Sequence, residues 1–138
     1  MKVRAKVLTE PAEENALLAL QCVLPEGMPA DYFEFLRKHD GAEFCFTEVD
    51  WVRDGFDTIR IFSTDEMMEM QKQDWLSASL PQLLVIGTDS GGQFLAFDKR
   101  KSGNWPVVMY APGSIERLTY TPVVDSISDL LTKYEERA

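Results

Sequence analysis

The stretch LLVIGTDSGGQFLAFDKR, residues 83–100, constrains the fold more than any other part of the chain. Two apolar runs flank one short polar turn. Runs of this length, bounded by turn residues, read as strands buried on both faces and joined as a hairpin. Gly91 and Gly92 supply the positive φ that such a turn needs, and Asp89 or Ser90 can bond the turn's own amides. The Gly-rich turn also invites a phosphate-binding reading, which the spacing rejects. It has neither the G-x-x-x-x-G-K-[ST] pattern nor the three-glycine dinucleotide pattern. The turn leads into the apolar strand Phe94–Phe97, not into a helix.

The rest of the chain divides by periodicity. MKVRAKVL alternates Val3, Ala5 and Val7 with Lys2, Arg4 and Lys6, a strand period with the bases on one face. TEPAEENALLALQCVL reads as a helix. Pro11 suits its first turn, Glu10, Glu13 and Glu14 suit its positive end, and Leu17, Leu20, Val23 and Leu24 form its apolar face. A second helix starts at Pro29. Tyr32, Phe35, Leu36 and His39 share a face of it, and Gly41 is its stop. AEFCFTEV and TIRIFS read as strands, with the Asp-Gly turn of DWVRDGFD between them. Ser63 and Glu66 have capping-box spacing, which predicts a helix start. After the hairpin, GNWPVVMYAP gives another strand. TYTPVVDSISDLLTKYEERA is expected to close the chain as a helix on Val124, Ile127, Leu130, Leu131 and Tyr134.

Strands separated by short turns pair antiparallel. The expected class is therefore α+β: an antiparallel or mixed sheet of five to six strands packed against about four helices. At 138 residues, one domain over 1–138 is expected. No apolar run approaches a bilayer span, and no apolar block follows the basic N-terminus as in a secretory signal, so the expected compartment is the cytoplasm. Cys22 and Cys45 form no C-x-x-C pair and are expected to be reduced and buried, with a disulfide or metal pair the lesser reading.

The formal net charge is −9, unevenly spread. Residues 1–9 carry three bases and no acid, residues 10–98 carry 18 acids against 5 bases, and residues 99–138 carry 5 acids against 6 bases. An acidic middle argues against nucleic-acid binding, which needs clustered Lys and Arg, and fits a partner that is itself basic. Plain solubility explains it equally well.

The residues offer little for catalysis. The single histidine, His39, has no carboxylate and nucleophile arranged around it by spacing, and reads as a helix-end or aromatic-packing residue. A chain with one His lacks every metal motif built on His pairs. With 23 acids a carboxylate pair is always available, so pairing carries no signal. Met67, Met68 and Met70 read as core on one side and partial exposure on the other. Residues 40–57 say more. Asp40, Glu43, Glu48, Asp50, Asp54 and Asp57 are interleaved with Phe44, Phe46, Trp51 and Phe56. Acids beside exposed aromatics resemble a hot spot with an electrostatic guide. The competing reading turns Phe44 and Phe46 into the core and the acids outward.

Four pieces in order, LPEGMPADYFEFLRKHDGAEF, TIRIFSTDEM, LLVIGTDSGGQFLAFDKR with PVVMYAP, and SISDLL, resemble the SUKH superfamily. That group includes fungal cell-wall-assembly regulators and many bacterial immunity proteins. Tyr32, Phe35, Leu36 and Gly41 match its Pro-led helix, with Asp40 where Asn is usual. Ile86, Gly87, Asp89, Gly91, Gly92 and Phe94 match its hairpin, and Pro106 and Val107 its next strand. The basic strand at the amino end departs from the pattern. The resemblance implies an α+β fold and a non-enzymatic binding role with no shared catalytic set, commonly the neutralisation of a toxin, often a nuclease. The expected function is accordingly an immunity protein with a basic toxin domain as partner. A regulatory scaffold with endogenous partners, or a small ligand-binding or enzymatic domain, are the alternatives. The expected contacts are Glu43, Glu48, Asp50, Trp51, Asp54 and Asp57. No catalytic residue, metal site or cofactor is expected, and neither nucleic acid nor membrane is an expected partner.

Overall fold

A computed structural model describes residues 2–47, 58–72, 82–89, 93–100, 105–110, 120–124 and 126–127. Its elements run β1 (Lys2–Leu8), α1 (Glu14–Val23), α2 (Ala30–Lys38), β2 (Ala42–Thr47), β3 (Thr58–Ile61), α3 (Thr64–Gln71), β4 (Leu83–Asp89), β5 (Phe94–Asp98), β6 (Val107–Tyr110) and β7 (Tyr120–Val124). The strands form one sheet in sequence order, each antiparallel to the next. The class is the expected α+β. Among the described residues the sheet has seven strands where five to six were expected, and there are three helices where about four were expected.

The additional strand is Tyr120–Val124, expected as the start of the last helix. The β-branched and aromatic run TYTPVV favours a strand, and Pro122 is tolerated because β7 is an edge. The body of the expected terminal helix lies outside the described residues, apart from the buried Ile127.

Helix α1 starts at Glu14, later than Pro11 suggests. The chain before it is tied elsewhere. The Ala12 N–H donates to the Leu36 carbonyl (3.0 Å), and the Asp40 N–H donates to the Glu10 carbonyl (2.7 Å). Leu17, Leu20 and Leu24 are buried as expected, but Val23 is 47% exposed and Cys22 is also exposed. At about 100° per residue Cys22 falls opposite the buried leucines and Val23 at the flank of their stripe, so both stay open to solvent. On α2, Tyr32, Phe35 and Leu36 are buried, and on α3, Met67 is buried while Met68 and Met70 are partly so.

The hairpin of β4 and β5 is the centre of the core. Leu83, Leu84, Val85 and Ile86 are all buried, as are Leu95, Ala96 and Phe97, so neither strand alternates. The turn at residues 90–92 lies outside the described residues. At its mouth the Thr88 hydroxyl donates to the Gln93 carbonyl (2.8 Å). Tyr32 meets Phe97 edge-on with ring centroids 5.7 Å apart, which seats α2 on the hairpin, and Phe97 is 6.1 Å from Trp105. At the far end of β5 the buried Asp98 carboxylate accepts two bonds from the Arg100 guanidinium, at 2.9 and 2.8 Å, and one from the Arg100 N–H. Such a bidentate pair satisfies a carboxylate that burial would otherwise penalise.

Candidate partner-binding site

The sheet is less covered at β2 and β3. There Ala42, Phe44, Ile59 and Ile61 point inward and are buried, while Glu43 is exposed and Arg60 half-buried. The register sets Glu43 directly opposite Arg60, and Arg60 opposite Thr88 on β4. By the two-residue period these side chains share one face.

The end of β1, the start of β2 and the passage from β3 into α3 meet around an open cleft of about 270 Å³. Its lining includes Thr9, Asp40, Glu43, Arg60, Ser63 and Glu66. Local sequence positions each wall. The Thr9 hydroxyl donates to the Gly41 carbonyl (2.7 Å), and the His39 Nδ1–H donates to the Thr9 carbonyl (2.9 Å), which holds the end of β1 against the end of α2. Gly41 turns the chain with φ +97°, a conformation that side chains disfavour. Ser63 and Glu66 form the expected capping box: the Ser63 hydroxyl accepts from the Glu66 N–H and the Glu66 carboxylate from the Ser63 N–H, both at 3.2 Å. Asp40 caps the same helix from a distance, accepting from the Thr64 N–H (2.7 Å) and hydroxyl (3.2 Å).

The polar groups of the cleft are thus mostly engaged. Arg60 pairs with Glu66 and lies 5.1 Å from the centre of the Phe62 ring. Burial raises the Glu66 carboxyl. The Arg60 hydrogen bond, the Ser63 N–H and the guanidinium charge outweigh that and hold it below the usual glutamate range. Tyr32, fully buried nearby, has its hydroxyl pushed far up, first by burial and then by the negative charge of Asp40. Glu43 differs from Asp40 and Glu66: among the described residues its carboxylate has neither an ion-pair nor a hydrogen-bond partner. The cleft therefore presents surplus negative charge to solvent with its guanidinium already matched. That arrangement suits a cationic side chain. The ring nitrogen of the single histidine is engaged here too, since His39 Nδ1 is committed to the Thr9 carbonyl. Among the described residues no group of His, Cys, Asp and Glu is placed to hold a metal, and no helix is long and apolar enough to cross a membrane.

Residues 11–133 match the model of the SMI1 / KNR4 family (SUKH-1). This chain belongs to the SMI1 / KNR4 family. The SUKH-1 match begins after β1, the strand that departs from the superfamily pattern in sequence. No curated protein matches closely enough to add a named relative.

Of the expected contacts, the structure places Glu43 on this cleft. Glu48, Asp50, Trp51, Asp54 and Asp57 lie outside the described residues, in the connection from β2 to β3. Phe44 is fully buried, so for this aromatic the core reading holds. Sequence reasoning did not bring Arg60, Glu66, Ser63 and Asp40 to the cleft. The capping-box spacing marked Ser63 and Glu66, but only as a helix start. For Arg60 no local signal exists, because its place depends on which strand β3 pairs with.

Proposed function

We propose that this chain is a non-enzymatic protein-binding module that acts in the cytoplasm as an immunity protein. It binds and neutralises a basic toxin domain of the nuclease kind. Membership of the SUKH-1 family supports a protein-binding role. The observation that carries the choice of partner is the exposed, unpaired Glu43 on a cleft whose guanidinium is matched internally. In sequence it precedes, by the length of β2, a segment bearing Glu48, Asp50, Asp54 and Asp57 around Trp51. A nuclease carries Lys and Arg to hold phosphates, so an acidic surface meets it with opposite charge. In this reading Glu43, Glu48, Asp50, Asp54 and Asp57 guide and pair with those bases, and Trp51 is the apolar anchor.

The superfamily also contains cell-wall-assembly regulators, which supports a second reading as a scaffold for endogenous partners. Affinity purification of the chain from its own cells, with identification of what is retained, separates the two. A basic toxin domain is the expected catch; a set of endogenous proteins without one would favour the scaffold. With the toxin in hand, Glu43→Lys combined with Lys at 48, 50, 54 and 57 is expected to abolish protection in a growth assay. Undiminished protection by that variant, folded by circular dichroism, would show the site assignment to be wrong.

A further inference from the structure

We propose that the outward face of α1 is a second docking surface, one that takes a short amphipathic helix with basic ends from a protein partner. The surface is separate from the cleft, whose lining includes no residue of α1, and the proposal stands whether or not the partner is a toxin.

A surface helix normally turns one apolar stripe inward and a polar face outward. Helix α1, ENALLALQCV, does not. Leu17 and Leu20, with Leu24 just beyond the helix, fill its buried side. Outside that stripe, from its flank round to the far side, Leu18, Ala19, Cys22 and Val23 are all exposed. At 100° per residue these four cover an arc of about 140°, and Asn15 is the polar residue within it. Leu18 is 51% exposed and Val23 47%, and among the described residues they are the large apolar side chains left open to solvent. A helix apolar on both sides is ordinarily buried on both, so the open side lacks a cover.

Charge identifies the cover. From Val7 to Leu36 the chain contains no Lys, Arg or His. Glu10, Glu13 and Glu14 stand exposed at one end of α1, and Glu26 stands exposed beyond the other. The apolar arc is therefore closed at both ends by negative charge. It matches a helix of similar length, about 15 Å, with Leu-, Ile- or Met-type residues along one face and Lys or Arg at both ends. A second copy of this chain fits poorly. An antiparallel pair sets Glu26 against Glu13 and Glu14, and a parallel pair sets these last two against their equivalents. An anionic lipid surface meets the same repulsion.

The test uses the full chain and a fluorescein-labelled 14-residue peptide with Leu at helical i, i+3, i+4 and i+7 spacing and Lys elsewhere, read by fluorescence anisotropy. Saturable binding is expected. Leu18→Glu and Val23→Glu, both at exposed positions, are expected to weaken it at least about tenfold while circular dichroism and Tm stay at wild-type values. Glu13→Lys with Glu14→Lys should weaken it and flatten its salt dependence. A scrambled peptide of the same composition, without an apolar face, should bind at least about tenfold more weakly. If either Glu variant loses its fold, Leu18→Gln and Val23→Thr replace them. Absence of wild-type binding, or equal affinity in the Leu18 and Val23 variants, overturns the proposal. So does self-association of the wild-type chain in sedimentation that Leu18→Glu abolishes, or binding to phosphatidylglycerol vesicles that the same variant loses.

Discussion

Gly87 shows how a single position can fix a sheet. A Cβ built there lies 2.3 Å from the Arg60 carbonyl oxygen, far inside any real contact, and that atom belongs to a strand that cannot swing aside. Gly41 is a milder case. Its φ is +97°, and a Cβ would sit 3.0 Å from the Ile61 carbonyl and 3.1 Å from the Ser63 nitrogen. Gly87→Ala must part β3 from β4, which also shifts Arg60 and its pairing with Glu66. It is expected to cost at least about 2 kcal/mol, and Gly41→Ala roughly 1–2 kcal/mol. Urea denaturation measures both, and a smaller loss at Gly87 than at Gly41 would contradict this order. Sequence alone marked these two glycines unequally. Gly41 was readable as a helix stop, because a Gly after a basic last turn is a local signal. Gly87 is one of the residues that match the superfamily's hairpin, but its close approach to Arg60 belongs to a pairing between segments distant in sequence. Cys22 and Val23 are exposed against expectation for a related reason. An apolar residue on a helix is assigned to the core by default, and α1 carries apolar residues on two sides.

At the scale of elements, α3 is the best case of local sequence deciding structure. The Ser63 and Glu66 spacing predicted its start, and both reciprocal bonds are present. Ser63→Ala is expected to cost about 1 kcal/mol. Glu66 adds a pH dependence whose sign comes from its lowered carboxyl. A group more acidic in the folded state stabilises the fold above its unfolded pKa, and that contribution is lost as pH falls through the folded value. Glu66→Gln should therefore be less stable than wild type at neutral pH, and the gap should narrow as pH falls below the ordinary glutamate range. The gap is modest because Arg60 and Glu66 are both half-exposed and screened. Urea midpoints of the two proteins at pH 7 and pH 3 test this, and a gap that widens in acid would reverse the assignment. Strand β7 is the opposite case. The spacing of Val124, Ile127, Leu130, Leu131 and Tyr134 is helical, and it outweighed the β-branched run ahead of it. Pro122 was the available signal, since a proline with strand formers on both sides marks an edge strand.

Across the whole molecule, the α+β class was legible from the strand and helix periods, but the strand order was not, because β1 pairs β2 across two helices and β3 pairs β4 across α3. The cleft itself was not legible: Glu43 is an expected contact that lines it, but the cleft is assembled by register and by the tie between the end of β1 and the end of α2. Charge is the property that sequence conveys best at this scale, as it needs no contacts to act. The 18 acids of residues 10–98, set against 5 bases, create a field that reaches farther than any one pair. The two proposed surfaces draw on it differently: the cleft meets bases directly, whereas the α1 face meets an apolar stripe with acids only at its ends. For a basic partner the association rate should fall at least about tenfold as salt rises from about 0.01 M to about 1 M, with the dissociation rate changing much less. Glu43→Lys should flatten that slope. Leu18→Glu should raise the dissociation rate and leave the slope no shallower, because it removes apolar contact and adds a negative charge. Stopped-flow association across a salt series, run on the three proteins with the co-purified partner, separates these outcomes. A wild-type rate that does not change with salt would remove electrostatic steering from the account and leave shape and apolar contact to explain binding.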